Sequence, residues 1–367
     1  MFQQPDIRFA EGVDIVEHTI TMRDPDGKLV KMDLGVADVH VDAALSNYIS
    51  GYRNGEFGAD KVSAVVTVNK ASNYFFQYNP DNALAPTNGT ETAPGADVAE
   101  ITPQLSTYQY QTKGYALAAK LPTELLANQD APLNLEMAAT RMCMDKLLLN
   151  REVRVAAQAY TSGNFSSAQS LVTTLTSSTK WNGGANADPV RNIRNLCELS
   201  LSPVTHMAMA LPTWNAFTEN PAVQKYVFAK IGAKPLPDAS SYEEWAGLLD
   251  LPVPLIMRSK VKNTSGAYPF VWASHVALVR RPPGDAISDM DVATFKTFRW
   301  NGAGANTLPT EFGGTVQGGF TVRSYFNPFA GKRGSRFVVV AHDDAEVVTG
   351  GLSGVSVVGG LILNAFS

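Results

Sequence analysis

The longest stretch in which apolar positions recur at helical spacing is residues 132–161, PLNLEMAATRMCMDKLLLNREVRVAAQAYT, with no glycine and no proline after its first residue. Leu133, Met137, Met144, Leu148 and Val155 fall on one stripe. Leu135, Met142, Leu149, Val153, Ala156 and Tyr160 fall on a second. The pattern predicts a single helix over 132–161, about 45 Å long at a rise of ~1.5 Å per residue. Asp130 is placed as its N-cap, Pro132 in its first turn, where a missing N–H costs nothing, and Gly163 as its stop. An ordinary surface helix needs one apolar stripe. Two stripes predict a spine covered on more than one side.

Upstream the period changes from helical to alternating. Residues 62–68 and 74–78 read as strands, with partners expected at 105–110 and 115–119. Between them, residues 79–100 (NPDNALAPTNGTETAPGADVAE) are small, polar and rich in proline and glycine. The expected form is a projecting two-stranded arm with an irregular tip, since loops of this length are usually functional or disordered. No lysine or arginine lies between Lys70 and Lys113, so Asp81, Glu91, Asp97 and Glu100 make the tip purely acidic. Residues 1–55 carry scattered apolar side chains (Phe2, Ile7, Phe9, Val13, Ile15, Val16) without a helical period, and a turn signal at Asp24-Pro25-Asp26-Gly27. They predict an extended arm that must lie on the body or on a neighbour.

Downstream of the spine the elements alternate. Asp188-Pro189 starts a helix through Leu199, Met207 opens a buried strand, and Asn220-Pro221 starts a second helix. Ser240 and Glu243 form a capping-box pattern before a third. Strands are expected at 255–258 and 270–279, giving an α/β unit over 188–330. The chain ends in strands near 319–326, 335–342 and 355–364, and no repeat of fixed period is present. The fold class expected is α+β.

Across the 367 residues, 45% are hydrophobic and 17% charged, as in ordinary folded chains. The formal net charge of −4 argues against a protein that grips nucleic acid, although not against one that encloses it. Cys143 and Cys197 are too few for a disulfide framework. The N-terminus lacks the layout of a signal peptide, and the most apolar segment, 355–366, is too short for a membrane span. An intracellular soluble protein is expected.

Candidate chemistry is sparse. Asp38, His40 and Asp42 share one face of a strand, which reads better as an exposed polar face than as a metal site. His342-Asp343-Asp344 reads as a turn beside a strand. Ser274 and His275 are placed within a strand, on opposite faces. Gly351-Leu352-Ser353-Gly354 is not a nucleophile elbow, and Gly302-Ala303-Gly304 is only a fragment of a phosphate loop. No catalytic residue, cofactor or metal is assigned, and an enzyme is not expected. Surfaces are the better place for function, with the acidic tip matched by basic acceptors at Arg280, Arg281, Lys332, Arg333 and Arg336.

The order of parts resembles the major capsid proteins of tailed double-stranded DNA bacteriophages, the Hong Kong 97-type fold. The segments that carry the resemblance are NREVRVAAQAYTSGNF, ADPVRNIRNLCEL, PVTHMAMALPTWNAFTENPAVQKYV and SYFNPFAGKRGSRFVVVAHDD. The resemblance implies an N-terminal arm (1–55), an E-loop with flanking strands (56–120), a P-domain with the spine helix (121–187), an A-domain (188–330), and C-terminal strands returning to the P-domain (331–367). It implies hexamers and pentamers of this chain in an icosahedral virion shell, assembled in the host cytoplasm around DNA that is not specifically bound. Portal protein, a separate scaffolding protein and, in some members, a decoration protein are the implied partners, with no membrane. Some members weld subunits through an E-loop lysine, and this tip has none. An encapsulin-like nanocompartment shell is the main alternative. A β-rich hydrolase, which would need a clustered Ser/His/Asp site, and a phage tail or decoration protein are others.

Overall fold

A computed structural model of the chain describes residues 19–23, 29–33, 39–40, 57–80, 84, 86, 90–92, 94–95, 98, 100, 106–128, 134–232, 238, 240–283, 291–301 and 320–366. The N-terminal segment is extended where described. Strands β1 (Thr19–Arg23) and β2 (Leu29–Asp33) pair antiparallel, and β3 (Val39–His40) joins the edge of a larger sheet. The expected turn at 24–27 lies outside the described residues.

A short helix α1 (Ala59–Val62) leads into β4 (Ala64–Val68), β5 (Ser72–Gln77), β6 (Ser106–Gln111), β7 (Lys113–Pro122) and a single helical turn α2 (Thr123–Ala127). β5 and β6 pair antiparallel, from Ser72 opposite Gln111 to Gln77 opposite Ser106, which is the expected two-stranded arm. The flanking strands do not extend it. β4 runs parallel to β12 (Phe295–Trp300), and β7 runs antiparallel along β14 (Ser335–Val348). The reason lies in β7's alternation: Tyr115, Leu117, Ala119 and Leu121 share one face and cover the apolar side of the spine helix. A lone ribbon could not bury that face.

The spine helix α3 (Leu135–Ala159) has 25 residues, about 38 Å at the helical rise. It is shorter than the 132–161 expected, and its N-cap is Asn134, whose Oδ1 accepts from the Met137 N–H at 3.0 Å. Asp130 and Pro132 lie outside the described residues. Side chains end the helix: Thr161 Oγ1 donates to Ala157 O and Asn164 Nδ2 to Gln158 O, both at 2.7 Å, so Gly163 is not the stop. A buried face runs through Cys143, Met144, Leu147, Val155, Ala156 and Ala159, taking Met144 and Val155 from the first expected stripe and Ala156 from the second, while Met137 and Leu148 of the first are half-buried. Of the second stripe, Met142 (52%) and Val153 (38%) are exposed. Cover on more than one side is therefore not what the described residues provide there.

Two sheets flank the helix. Under its N-terminal half lies the sheet β3-β13-β14-β12-β4, where β13 is Phe320–Asn327, with β7 also paired to β14. The second sheet, against the C-terminal half, has the order β10-β9-β11-β15-β8, with β8 Val172–Thr174, β9 His206–Ala210, β10 Val253–Met257, β11 Val276–Val279 and β15 Gly360–Leu363. Residues 295–300 and 320–327, grouped from sequence with the α/β unit, thus belong to the spine sheet. Residues 360–363 and 172–174 belong to the α/β sheet.

Four helices complete that α/β unit: α4 (Pro189–Leu199), α5 (Leu211–Glu219), α6 (Pro221–Ile231) and α7 (Tyr242–Leu249). Their core is aromatic, with Trp181, Trp214, Phe217 and Trp245 buried and Trp214 stacked on Phe217 at 5.3 Å. Asp188 caps α4 as expected, its Oδ1 accepting from the Arg191 N–H. The capping box at Ser240 and Glu243 does not form. Ser240 instead donates through both N–H and Oγ to Asp238 Oδ1, and Trp245 Nε1 donates to Asp238 O. Among the described residues no helix is long and apolar enough to cross a membrane.

Candidate subunit interface

The two-stranded arm has one face bound to the body and one free. Phe75 and Tyr110 are buried against Phe298 of β12, with centroids 5.1 and 4.5 Å apart, and the Tyr110 hydroxyl donates to Lys70 O. Alternation then turns Tyr74 (65% exposed) outward, while Tyr108, opposite Phe75 and in edge contact with it at 6.0 Å, shares the inner face and is left 44% exposed. Farther along, Leu84 and Val98 are exposed as well. Of the acidic tip, Glu91 and Glu100 are exposed, while Asp81 and Asp97 lie outside the described residues.

The five basic candidates fall into two kinds. Lys332 and Arg333 are exposed on the turn between β13 and β14, beside exposed Phe326 and Phe329 (78%). That turn is braced from inside: Asn327 Oδ1 accepts from the Phe329 N–H at 2.9 Å, and Thr123 Oγ1 donates to Gly334 O at 2.9 Å. Gly334 has φ of +79°, and a Cβ there would lie 2.4 Å from Phe326 Cζ, so the position is restricted to glycine. Arg336, by contrast, pairs with Glu136 in the first turn of α3 at 3.0 Å and ties sheet to helix. Arg280 donates to Val292 O and Pro203 O, both at 3.2 Å, and Arg281 is half-buried with its N–H on Thr205 Oγ1. The structure therefore leaves Lys332 and Arg333 as the exposed basic pair of this set.

Sequence reasoning missed a polar junction at the middle of the spine. Arg151 and Asp344 are fully buried; Arg151 Nε lies 3.2 Å from Asp344 Oδ2, and the guanidinium also binds the Asp60 carboxylate and Thr297 Oγ1. Arg299, directly across from Asp344 in the β12–β14 ladder, holds it through Nε at 2.8 Å and a second N–H at 3.1 Å. Burial works to raise the Asp344 pKa, but Arg299 and Arg151 outweigh it and hold the carboxyl below its usual range. His342, expected in a turn, stands two residues away inside β14, stacked on Tyr115 and in tilted contact with Phe320. Its Nε2 is 3.6 Å from Asp344, and burial, with three nearby arginines opposing Asp344, lowers its pKa to about 4. Long β14 is flanked on both sides, so a polar triplet that looks like a turn is carried through it by charge pairing.

Next along the helix, the Glu152 carboxylate is wholly buried. It accepts from Gly58 N–H (3.1 and 3.0 Å), Ala59 N–H (2.7 Å), Trp272 Nε1 (2.5 Å) and Ser259 Oγ (3.3 Å). Burial pushes its pKa up, and these donors counter that only in part. A signal for the junction was present: Arg151 sits seven residues after Met144 and four before Val155, in phase with the apolar stripe.

Nothing among the described residues assembles a reactive constellation. No group of three histidine, cysteine or acidic side chains there could hold a metal ion. Ser274 and His275 precede β11 instead of lying within a strand, and His275 Nδ1 accepts from the Asn364 N–H. His40 is in β3, while Asp38, Asp42 and 302–304 lie outside the described residues.

No protein-family model matches the sequence, and no curated protein matches it. Solved structures do. A phage-related protein of Bordetella bronchiseptica RB50 superposes with a TM-score of 0.64 at 18% identity, over 89% of this chain and 98% of that one. The holo-SrpI encapsulin complex of Synechococcus elongatus PCC 7942 gives 0.49 at 11% identity, over 88% and 95%. The capsid of a native GTA particle gives 0.49 at 13%, over 85% and 91%. The first establishes a fold shared across nearly the full length of both chains. A spine helix on a sheet, a two-stranded arm and a helix-flanked second sheet are the parts of the Hong Kong 97-type capsid fold, and the chain has that fold.

Proposed function

We propose that the chain is the major capsid protein of a tailed double-stranded DNA phage, and that it assembles as hexamers and pentamers into an icosahedral shell. The capsid-type fold, shared over nearly the whole chain, supports this most. The role is structural and not enzymatic. In this reading residues 1–55 are the N-arm, 56–120 carry the E-loop, the spine helix and the sheet that takes in 295–300, 320–327 and 335–348 build the P-domain, and the α/β unit, with 172–174 and 360–363 in its sheet, builds the A-domain at the local symmetry axes. The exposed aromatics of the arm, Tyr74 and Tyr108, lie on a neighbour, and the acidic tip meets the Lys332–Arg333 turn of another copy. Each such rim contact is worth at most about 1 kcal/mol, but repetition around the shell makes it selective.

Assembly takes place in the host cytoplasm with a portal and a separate scaffolding protein, with or without a decoration protein. The packaged DNA lies close without a specific grip, consistent with a net charge of −4. The test is electron microscopy of the protein expressed with its phage-encoded neighbours. DNA-filled heads built from this chain support the reading. Shells that enclose a protein cargo and no genome would move it to a nanocompartment.

A further inference from the structure

Resting on the capsid reading, a more specific role follows from the way neighbouring residues of α3 grip the root of the arm. Glu152 binds the N–H groups of Gly58 and Ala59, while Arg151 binds the side chain of Asp60. Consecutive residues on a helix project about 100° apart. Three consecutive residues of the α1 segment are thus held from two directions, and α1 cannot roll either way without breaking one grip. The same two side chains reach the β10–β11 connection of the α/β unit and the spine sheet. Glu152 also takes Trp272 Nε1 and Ser259 Oγ from the α/β unit, and Arg151 takes Thr297 and Asp344 from the spine sheet.

Only an acceptor with two oxygens suits the Glu152 position, because the groups that face it all donate. Gly58 also packs tightly on β10, since a Cβ there would lie 1.9 Å from Met257 Sδ. From this point the chain runs one way into the N-terminal segment and the other way into β4 and the β5–β6 arm.

We propose that Arg151 and Glu152 are positioning residues that set the angle at which the N-terminal segment and the arm leave the body, and so the angle at which one subunit meets the next. The test uses the full chain with Glu152→Gln, whose amide must turn a donor toward donors, and Asp60→Asn. Asp60 has a side chain 61% exposed, so its replacement leaves the core intact.

Two readouts are needed. Hydrogen exchange of the unassembled subunit should quicken at least about tenfold at residues 58–62 in both variants, with exchange in β14 unchanged. Electron microscopy should show the single wild-type particle size replaced by mixed diameters, tubes or open sheets. Arg151→Lys, which keeps a charge for Asp60, should retain more of the normal population than Arg151→Met. Unchanged exchange at 58–62 overturns the proposal, as do particles of wild-type size despite altered exchange. If the wild-type chain forms no particle even together with a scaffolding protein, the capsid reading fails, and the clamp itself is still judged by exchange.

Discussion

Replacing Asp344 by Asn removes the one carboxylate that two buried arginines share. Asp344 is fully buried, accepts two N–H groups from Arg299, and lies 3.2 Å from Arg151 Nε. The amide is nearly the same size, so no cavity forms and the loss is electrostatic. Breaking a buried pair on one side costs roughly 3–5 kcal/mol, because the stranded charge keeps its desolvation penalty. Arg151 retains Asp60, so the expected value is near ~3 kcal/mol, carried mainly by Arg299. For a chain of 367 residues that corresponds to a fall in Tm of about 4 °C. Calorimetry of the unassembled subunit at neutral pH measures it. A companion variant, Arg299→Met with Asp344→Leu, removes both charges and should recover at least about half of the loss, since apolar replacements of buried pairs are often neutral. Stability of the Asn variant within about 0.5 kcal/mol of wild type would refute the reasoning. So would a double variant less stable than the sum of its singles.

Three further expectations concern separate parts of the molecule. His342 ionises near pH 4 in the folded state and about 6.5 when unfolded, so the folded form is at full strength above pH 6.5 and loses up to roughly 3 kcal/mol as pH falls toward 4; His342→Phe should flatten that limb of the stability–pH curve, and an unchanged slope would dismiss the assignment. Reversing Lys332 and Arg333 to Glu should leave the melting temperature of the subunit in place but impair assembly, and normal particles from that double variant would sink the acceptor role. Gly334→Ala should cost about 1–3 kcal/mol through its positive φ and the clash with Phe326, with partial relief from Phe326→Ala; a neutral effect would show that the turn is not braced as described.

The spine was legible because its period is long and unbroken, and so were the arm and most helix starts, where a local side chain fixes the boundary. Asp188 and Asn220 cap their helices as short-range chemistry predicts. Harder to see was which sheet each strand would join. Strands β12, β13 and β15 have similar apolar character, and their destinations depend on long-range pairing with β14 and β11. Ser240 and Glu243 matched a capping pattern, yet Asp238 competed for the same donors and won. At the junction, charged residues occupy the core phase of α3, and only the fold brings Asp60, Thr297, Asp344 and Trp272 to meet them. The basic candidates were found by charge alone, which could not separate Arg336, already paired to Glu136, from exposed Lys332 and Arg333.

The central claim is that this chain builds a shell. Electron microscopy of size-exclusion fractions of the full chain, expressed alone and together with a scaffolding protein, tests it most directly. Capsomer rings or closed icosahedral particles are expected in at least one of the two preparations. A subunit that stays monomeric in both, at every concentration and ionic strength tried, would contradict it.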